Sequence, residues 1–361
     1  MRLVSRITAI GIVSLFLVAS SSLVAGRKGN SVIGERVSKA VNFDGRLWLL
    51  GSTLSEDRAN GGLISLNLSN NSSEVHFNKD VIDIGVTDGS LWILQRSGDG
   101  TFVVSTLDGR KFREIARLNG LNDEQPIALI NRAGVVVLLS QSGINSLSRE
   151  DGQWHFVKIQ GKLRRGVQMA VASVANGRWI YLGYNMGEWG GGLQRVDLDT
   201  GVVSNIERRD KPGLCEGPLN SDCDPVTGLV VDSQNPGCVL ASVGLSHIFM
   251  WQGRILQVCG ETVTVVWSKP TTGGLDGKSD MTEPIFGLAT ASKGSFWAIT
   301  PRALYRFSAD RSFDKQYALP KLRSVSGIYL STELPGAIVL RTDVSWAVST
   351  SGYTPLIVPS D

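Results

Sequence analysis

Residues 176–207, NGRWIYLGYNMGEWGGGLQRVDLDTGVVSNIE, contain the pattern that decides the fold of this chain. An Asn-Gly turn leads into an apolar run at residues 178–183, and a glycine-rich loop leads into a second run at 192–197. An Asp-x-Gly turn then precedes a third run at 202–207. Short apolar runs between such turns are typical of antiparallel hairpins, because glycine adopts positive φ at little cost. Together with the run before Asn176, the stretch predicts one four-stranded antiparallel unit.

The same unit recurs along the chain at a period of about forty to sixty residues, which is the period of repeat architectures. A turn glycine marks each copy, with an apolar run before it and another after it. The intervals between these glycines are 44, 45, 43, 60, 57 and 42 residues. The marking glycines are Gly45, Gly89, Gly134, Gly177, Gly237, Gly294 and Gly336.

Seven four-stranded units predict an all-β fold, a seven-bladed β-propeller of antiparallel blades. A single unit has two apolar faces and buries neither alone, whereas units stacked in a ring cover one another. A pair of β-sandwiches is the alternative, but a sustained count of seven favours the propeller.

Several units resemble the two-component regulator propeller repeat of bacterial proteins. Asp88-Gly89-Ser90-Leu91-Trp92 matches the beginning of that repeat, and residues 191–201, GGLQRVDLDTG, match its end. Residues 44–48 and 293–297 are looser copies, and the third, fifth and seventh units keep only the glycine and an apolar run. The resemblance implies a propeller, often an exported sensory or scaffold module of uncharacterised function, and it implies no catalytic residues.

The composition narrows the class of partner. Lysine and arginine number 36 against 33 acidic residues, giving a net charge of +3 with no basic stripe. Nucleic acid is therefore not an expected partner. Forty-one glycines and nine tryptophans agree with a β-protein that has many turns.

The N-terminus has the pattern of a secretory leader. Arg2 and Arg6 precede a short apolar segment at residues 7–19, and small residues follow. The pattern predicts a signal peptide at residues 1–26, a propeller at 27–361, and secretion or a periplasmic location. An uncleaved anchor at residues 7–25 is the alternative, although that segment is barely long enough to span a bilayer. After cleavage we expect no stable membrane insertion.

The four cysteines fall within or just before the fifth unit, and export favours their oxidation. In a four-stranded meander, the start of the second strand and the end of the third lie at the same edge. This predicts a Cys238–Cys259 disulfide, which leaves Cys215–Cys223 to close a short loop. Free buried thiols are the alternative, and the spacings do not match a zinc site.

The longest connections fall in the fourth to sixth units and share one face of the predicted ring. They are residues 183–191, 208–224, 244–253 and 268–284. Long loops on a compact scaffold are more often functional than idle. Their polar and aromatic residues are Asn185, Glu188, Trp189, Arg209, Asp224, His247, Trp251, Asp276, Lys278 and Asp280.

The first seven of these form the predicted binding site, for a protein, peptide or glycan on a monomeric propeller. The alternative is that the tryptophans cap the blades and the charges are solvated. A propeller hydrolase or lyase is the second function, with His247 as general base beside Asp224 or Glu188. No cofactor or metal is expected. Residues 276–280 could bind calcium through Asp276 and Asp280, but Lys278 between these carboxylates argues against it.

Overall fold

The computed structural model describes sixteen segments of the chain. They are residues 36–52, 61–67, 72–87, 89–98, 100–119, 126–132, 135–148, 152–164, 168–173, 177–210, 215–247, 250–271, 281–318, 328–334, 337–342 and 356–359. Their regular elements are strands and two short 3₁₀ turns, Gly187–Trp189 and Ser292–Gly294. The marker glycines Gly134 and Gly336 and the predicted leader lie outside these residues.

The first strands along the chain form one antiparallel sheet in sequential order, β1 to β7. Its long central strand, β4, pairs with β3 through its first half and with β5 through its second half. The strands are β1 Arg36–Phe43, β2 Arg46–Ser52, β3 Gly61–Asn67, β4 Ser72–Thr87, β5 Ser90–Arg96, β6 Phe102–Asp108 and β7 Lys111–Leu118.

Two four-stranded antiparallel meanders follow. The first contains β8 Ala128–Arg132, β9 Val135–Leu139, β10 Gly143–Leu147 and β11 Trp154–Lys158. The second is the unit that contains the defining stretch, with β12 Gln168–Ser173, β13 Trp179–Asn185, β14 Leu193–Asp197 and β15 Val203–Ile206.

The remaining strands form two more four-stranded meanders, a two-stranded ladder and a three-stranded sheet. One meander contains β16 Val226–Val231, β17 Val239–His247, β18 Met250–Cys259 and β19 Thr262–Trp267. The ladder is β20 Pro270–Thr271 with β21 Met281–Thr282. The next meander contains β22 Gly287–Thr290, β23 Phe296–Ile299, β24 Ala303–Phe307 and β25 Phe313–Ala318. The last sheet contains β26 Ile328–Leu334, β27 Ala337–Thr342 and β28 Leu356–Pro359.

The all-β propeller of four-stranded antiparallel units is confirmed, but the sheets do not correspond to seven separate four-stranded blades. Five sheets with four or more strands are formed by the described residues, not the seven separate blades that the repeat predicts. The sequence prediction missed that β4 is continuous, so that the first two units are hydrogen-bonded into one sheet. Only three strands of the last unit lie among the described residues.

Successive units pack face to face, and the core is divided among these contacts. In β13, Tyr181 joins a buried cluster with the following unit, whereas Ile180 and Leu182 join a cluster with the preceding one. Adjacent side chains of a strand point to opposite faces, so a strand buried on both faces needs a continuous apolar run. This explains why the residues WIYL read as an unbroken apolar segment. β26 lies beside β1, which brings the last unit against the first.

The Asp-x-x-Thr-Gly turn after β14 is stabilised by the side chain of its first residue. Asp197 Oδ1 accepts hydrogen bonds from the backbone N–H groups of Asp199 (2.9 Å) and Thr200 (3.2 Å), and Arg178 donates to Oδ2. Burial alone would raise the pKa of Asp197, but these donors outweigh it and hold the pKa below its ordinary value. The motif therefore encodes the turn directly.

Both predicted disulfides are present. Cys238, before β17, is bonded to Cys259 at the end of β18, with Cα atoms 4.4 Å apart. Cys215 is bonded to Cys223 with Cα atoms 5.2 Å apart. The Cys238–Cys259 disulfide joins two strands of the fifth unit, and Cys215–Cys223 closes the loop that enters this unit.

Candidate functional site

The turn between β13 and β14 projects from one edge of its sheet, and we call residues 186–192 the Trp189 turn. At the same edge, the chain leaves β15 and passes through residues 215–224, which we call the Cys loop. In a meander, the connection between the second and third strands shares an edge with the exit of the fourth, so these two segments meet. Their contact forms the centre of the predicted binding face.

Hydrogen bonds within the Trp189 turn fix its shape. Met186 N–H donates to Gly190 O (2.9 Å), and Gly190 N–H donates to Gly187 O (3.1 Å). Asn185 Oδ1 accepts from Gly187 N–H at 2.9 Å, so this predicted site residue shapes the turn. Trp189 is 72% exposed at the tip of the turn, and Glu188 is exposed beside it. The sequence analysis correctly places both in a loop.

The Cys loop braces the turn from below. Gly191 N–H donates to Ser221 O at 2.9 Å, and Gly192 N–H donates to Asp224 O at 2.8 Å. Gly190 has φ +75°, and a Cβ atom there would lie 2.5 Å from Ser221 O. Gly190 and Gly192 thus let the backbones of the turn and the Cys loop approach closely, whereas a Cβ on Gly191 would meet Tyr184 O of its own hairpin.

A chain of ion pairs borders the turn. Arg209 donates to Asp222 Oδ2 at 2.9 Å and lies 3.3 Å from Glu207 Oε2. These partners, Asp222 first, raise the pKa of Arg209 above its ordinary value, so Arg209 stays charged. Arg164 continues the chain, because its guanidinium lies 3.7 Å from Glu207 Oε1, and it also donates to Ser221 Oγ (2.9 Å) and to Gly191 O (3.1 Å). The border therefore presents both signs of charge in paired form.

Asp224 lies beneath the face and not on it. Its side chain is 1% exposed, and Oδ2 accepts from Arg254 at 2.5 Å and from Asn220 N–H at 2.7 Å. Arg254 also donates to Pro218 O at 2.7 Å. Burial raises the pKa of Asp224 above its ordinary value, and Arg254 and Asn220 oppose that rise. The pair joins the Cys loop to β18, so the Asp224 side chain has a structural role in this structure.

His247 and Trp251 belong to a hairpin that extends beyond the neighbouring blades. The sequence analysis expects a loop at residues 244–253, and this expectation is wrong: β17 and β18 remain paired up to His247 and Met250. Ile285 N–H donates to Val243 O (3.4 Å) and Gly253 N–H donates to Thr282 Oγ1 (2.8 Å), so the next connection supports the extension. β17 also lies beside the 3₁₀ turn Gly187–Trp189.

Trp251 is therefore a strand residue, half-buried on β18. The guanidinium of Arg302 lies 5.0 Å from the centre of its ring, a cation–π contact. The side chain of His247 lies outside the described part of the chain, as do Asp276, Lys278 and Asp280. The structure thus brings together Asn185, Glu188, Trp189 and Arg209, with Asp224 below them and Trp251 on the adjoining hairpin.

A buried carboxylate that the sequence analysis missed holds the connection into the sixth unit. Glu283 accepts hydrogen bonds from Thr300 Oγ1 and Tyr305 Oη, both at 2.7 Å, and lies 3.6 Å from Lys269 Nζ. Lys269 also donates to Tyr305 Oη at 2.7 Å. Burial, and then Glu283, raises the pKa of Tyr305, so its hydroxyl keeps its proton. The network is satisfied internally and joins Lys269 and Glu283 to Thr300 and Tyr305 of the sixth unit.

Other side chains at the site were also missed by sequence reasoning. Asp222 lies beside Cys223 in the long connection at residues 208–224, and Glu207 directly precedes that connection. These positions were a usable signal. Arg164 had none, because its contact with Gly191 joins residues 27 apart and depends on blade packing.

The arrangement presents an exposed indole beside paired charges. Among the described residues, no group of three or more His, Cys, Asp or Glu side chains could hold a metal ion. None of the helices in the described segments is long and apolar enough to cross a membrane. The carboxylate of Asp224, which the hydrolase hypothesis places beside His247, is paired with Arg254. The exposed indole and the paired charges instead suit a binding surface.

The stacked antiparallel meanders define the class of protein, a β-propeller, and structural comparison agrees. The chain is similar to the extracellular domain of a putative one-component system from B. thetaiotaomicron, with a TM-score of 0.50 and 14% identity. The match covers 85% of this chain and 37% of that one, so this chain spans little more than a third of that structure.

A further match is the Pan2 WD40 domain of Neurospora crassa, with a TM-score of 0.40 and 12% identity over 72% of each chain. No protein-family model matches the chain, and no curated protein matches it in sequence. At these identities, the first likeness supports the fold alone, and the second carries no argument.

Proposed function

We propose that this chain is an exported propeller that binds a protein, peptide or glycan on the face formed by its fourth to sixth units. The observation that carries the proposal is Trp189, an indole 72% exposed on a turn that hydrogen bonds hold rigid. An indole exposed to water contributes no hydrophobic stabilisation, whereas an indole that a partner covers stabilises the complex. A fixed turn also loses little conformational entropy on binding.

The Trp189→Ala variant is expected to bind at least about 30-fold more weakly, since central aromatic anchors contribute about 2 kcal/mol or more. Panels of immobilised glycans, peptides and proteins would first be screened with the parent chain, and each hit titrated with the variants. Phe156→Ala is the matched control, because Phe156 is an aromatic residue 57% exposed on β11, the outermost strand of another unit.

The proposal fails if every hit binds Trp189→Ala and Phe156→Ala as tightly as the parent. Circular dichroism and the urea midpoint of each variant show whether it remains folded. Because Trp189 is exposed, its truncation is not expected to lower stability by more than about 0.5 kcal/mol.

We also propose that the ring contains seven blades, with the seven-stranded sheet contributing two that share β4. Supporting this, the first strand of each unit lies beside the first strand of the next, in the order β1, β4, β8, β12, β16, β22, β26 and back to β1. An experimental structure of the protein checks the count, and a ring of five, six or eight blades would refute it.

Export is proposed on the leader pattern and on the two disulfides, which persist in oxidising compartments. The mature protein is expected to begin between residues 23 and 27. N-terminal sequencing of secreted or periplasmic material measures this directly. Recovery of Met1 would instead favour the anchor.

A further inference from the structure

The Trp189 turn projects from the end of its strands and carries two exposed apolar side chains. Residues 186–189 are all exposed, whereas residues 190–193 are all buried. Met186 is 37% exposed and Trp189 is 72% exposed. Other large hydrophobic side chains that are exposed in the described segments, such as Phe156 and Phe313, lie on separate strands. Within the described part of the chain, Met186 and Trp189 are the only two that share one turn.

The shape of this surface restricts what binds it. Sites for small ligands are concave and cover about 70–90% of the ligand's surface. A projecting turn offers a small molecule contact on one side only, so the concave surface must come from the occupant. A folded protein supplies such a surface, and tryptophan is among the side chains most often buried at the centre of protein interfaces.

We propose that the partner is a protein with an apolar cleft that accepts Trp189 and Met186. This inference rests on the proposed binding function and names the kind of partner. The main-chain hydrogen bonds of the turn and its bracing by Ser221 and Asp224 present both side chains in a fixed arrangement before binding. Pre-organisation of this kind lowers the entropic cost of association.

The charges around the turn fit the polar rim of a protein interface. Asp222 borders the turn directly, because a Cβ on Gly190 would lie 2.5 Å from its carbonyl carbon. Arg209 pairs with Asp222 and with Glu207, so no single sign of charge dominates. Charges paired in this way give no net attraction to an anionic lipid surface, whereas a mixed polar rim is typical of protein interfaces. The rim therefore favours a protein over a membrane.

The test places the photoreactive residue p-benzoylphenylalanine at position 189 in the full chain, and at position 156 as the matched control. After irradiation of producing cells, position 189 is expected to give a discrete adduct with one other protein, and position 156 none. That protein is then purified and titrated. Trp189→Ala is expected to weaken its binding by about 30-fold or more, and Met186→Ser by about fivefold or more, with Phe156→Ala unchanged.

Four results would overturn the inference. An adduct between two copies of this chain assigns the turn to self-association. Co-flotation with phosphatidylcholine or phosphatidylglycerol vesicles that Trp189→Ala abolishes assigns it to a lipid surface. A glycan that loses binding in Trp189→Ala, with no protein adduct at position 189, refutes a protein partner and leaves the proposed function standing. Binding that is unchanged in Trp189→Ala refutes both.

Discussion

Replacing Arg254 with Met is expected to destabilise the folded protein by about 3–5 kcal/mol at neutral pH, the usual cost of leaving a buried charge without its partner. Asp224 would keep only the Asn220 N–H as a donor in a site where its side chain is 1% exposed. Equilibrium unfolding in urea measures the loss. Adding Asp224→Asn to Arg254→Met is expected to recover most of it, because the amide is neutral and still accepts from Asn220.

The stability lost in Arg254→Met is expected to increase as the pH rises. Burial already raises the pKa of Asp224 above its ordinary value of 3.8 in the folded parent, although Arg254 opposes the rise. A carboxyl with a raised folded pKa contributes stability below its unfolded pKa, and that contribution is lost as pH rises through the folded pKa. Removing Arg254 raises the folded pKa further. The deficit of Arg254→Met is therefore expected to be smaller at pH 4 than at pH 7.

An exposed ion pair provides the control. Arg113 lies 3.6 Å from Asp108, and both side chains are largely exposed. Arg113→Met is expected to change the free energy of unfolding by less than about 1 kcal/mol. If Arg254→Met loses no more stability than Arg113→Met at neutral pH, the buried pair does not hold the Cys loop to β18.

Gly190→Ala is expected to cost about 3–5 kcal/mol, the sum of a strained left-handed backbone and overpacking. The new Cβ would lie 2.5 Å from Ser221 O and Asp222 C and 2.6 Å from Cys223 N. All three are backbone atoms, so no side-chain rotation relieves the contact. Urea unfolding measures the change, and binding to any hit of the screen is expected to fall with it.

Gly187→Ala separates crowding from backbone strain. Gly187 also has positive φ (+63°), but nothing lies within 4 Å of its added Cβ. Its substitution is expected to cost only about 1–2 kcal/mol. Equal losses for the two variants would show that the Cys loop does not press against the Trp189 turn.

Local patterns in the sequence predicted most of the strands and turns of the fold. The turn glycines Gly45, Gly89, Gly177 and Gly294 all have positive φ, as their positions in tight turns require. Gly237 does not, because the turn before β17 is longer and does not need a left-handed residue there. The strands around them follow the apolar runs, since a strand buried on both faces must be apolar throughout.

The candidate site was only partly predictable. Glu188, Trp189 and Arg209 were placed correctly in connections, because glycine-rich and polar segments mark loops. Trp251 was assigned to a loop, yet it lies in β18. Gly244 and Gly253 bound this segment and favoured a loop, although residues 248–251, IFMW, are types common in strands. The segment around Thr282 and Ile285 lies against the paired strands and hydrogen-bonds to them.

By itself, the sequence determined the antiparallel units, the turns and both disulfide pairings, because each depends on neighbours along the chain or on the fixed geometry of a meander. Only the tertiary structure decided that Asp224 is buried against Arg254, that Gly190 and Gly192 lie closely against the Cys loop, and that Trp189 is left projecting. These outcomes depend on which blades meet and how closely. Burial and close approach are properties of surfaces brought together by packing, and no local pattern of residues specifies them.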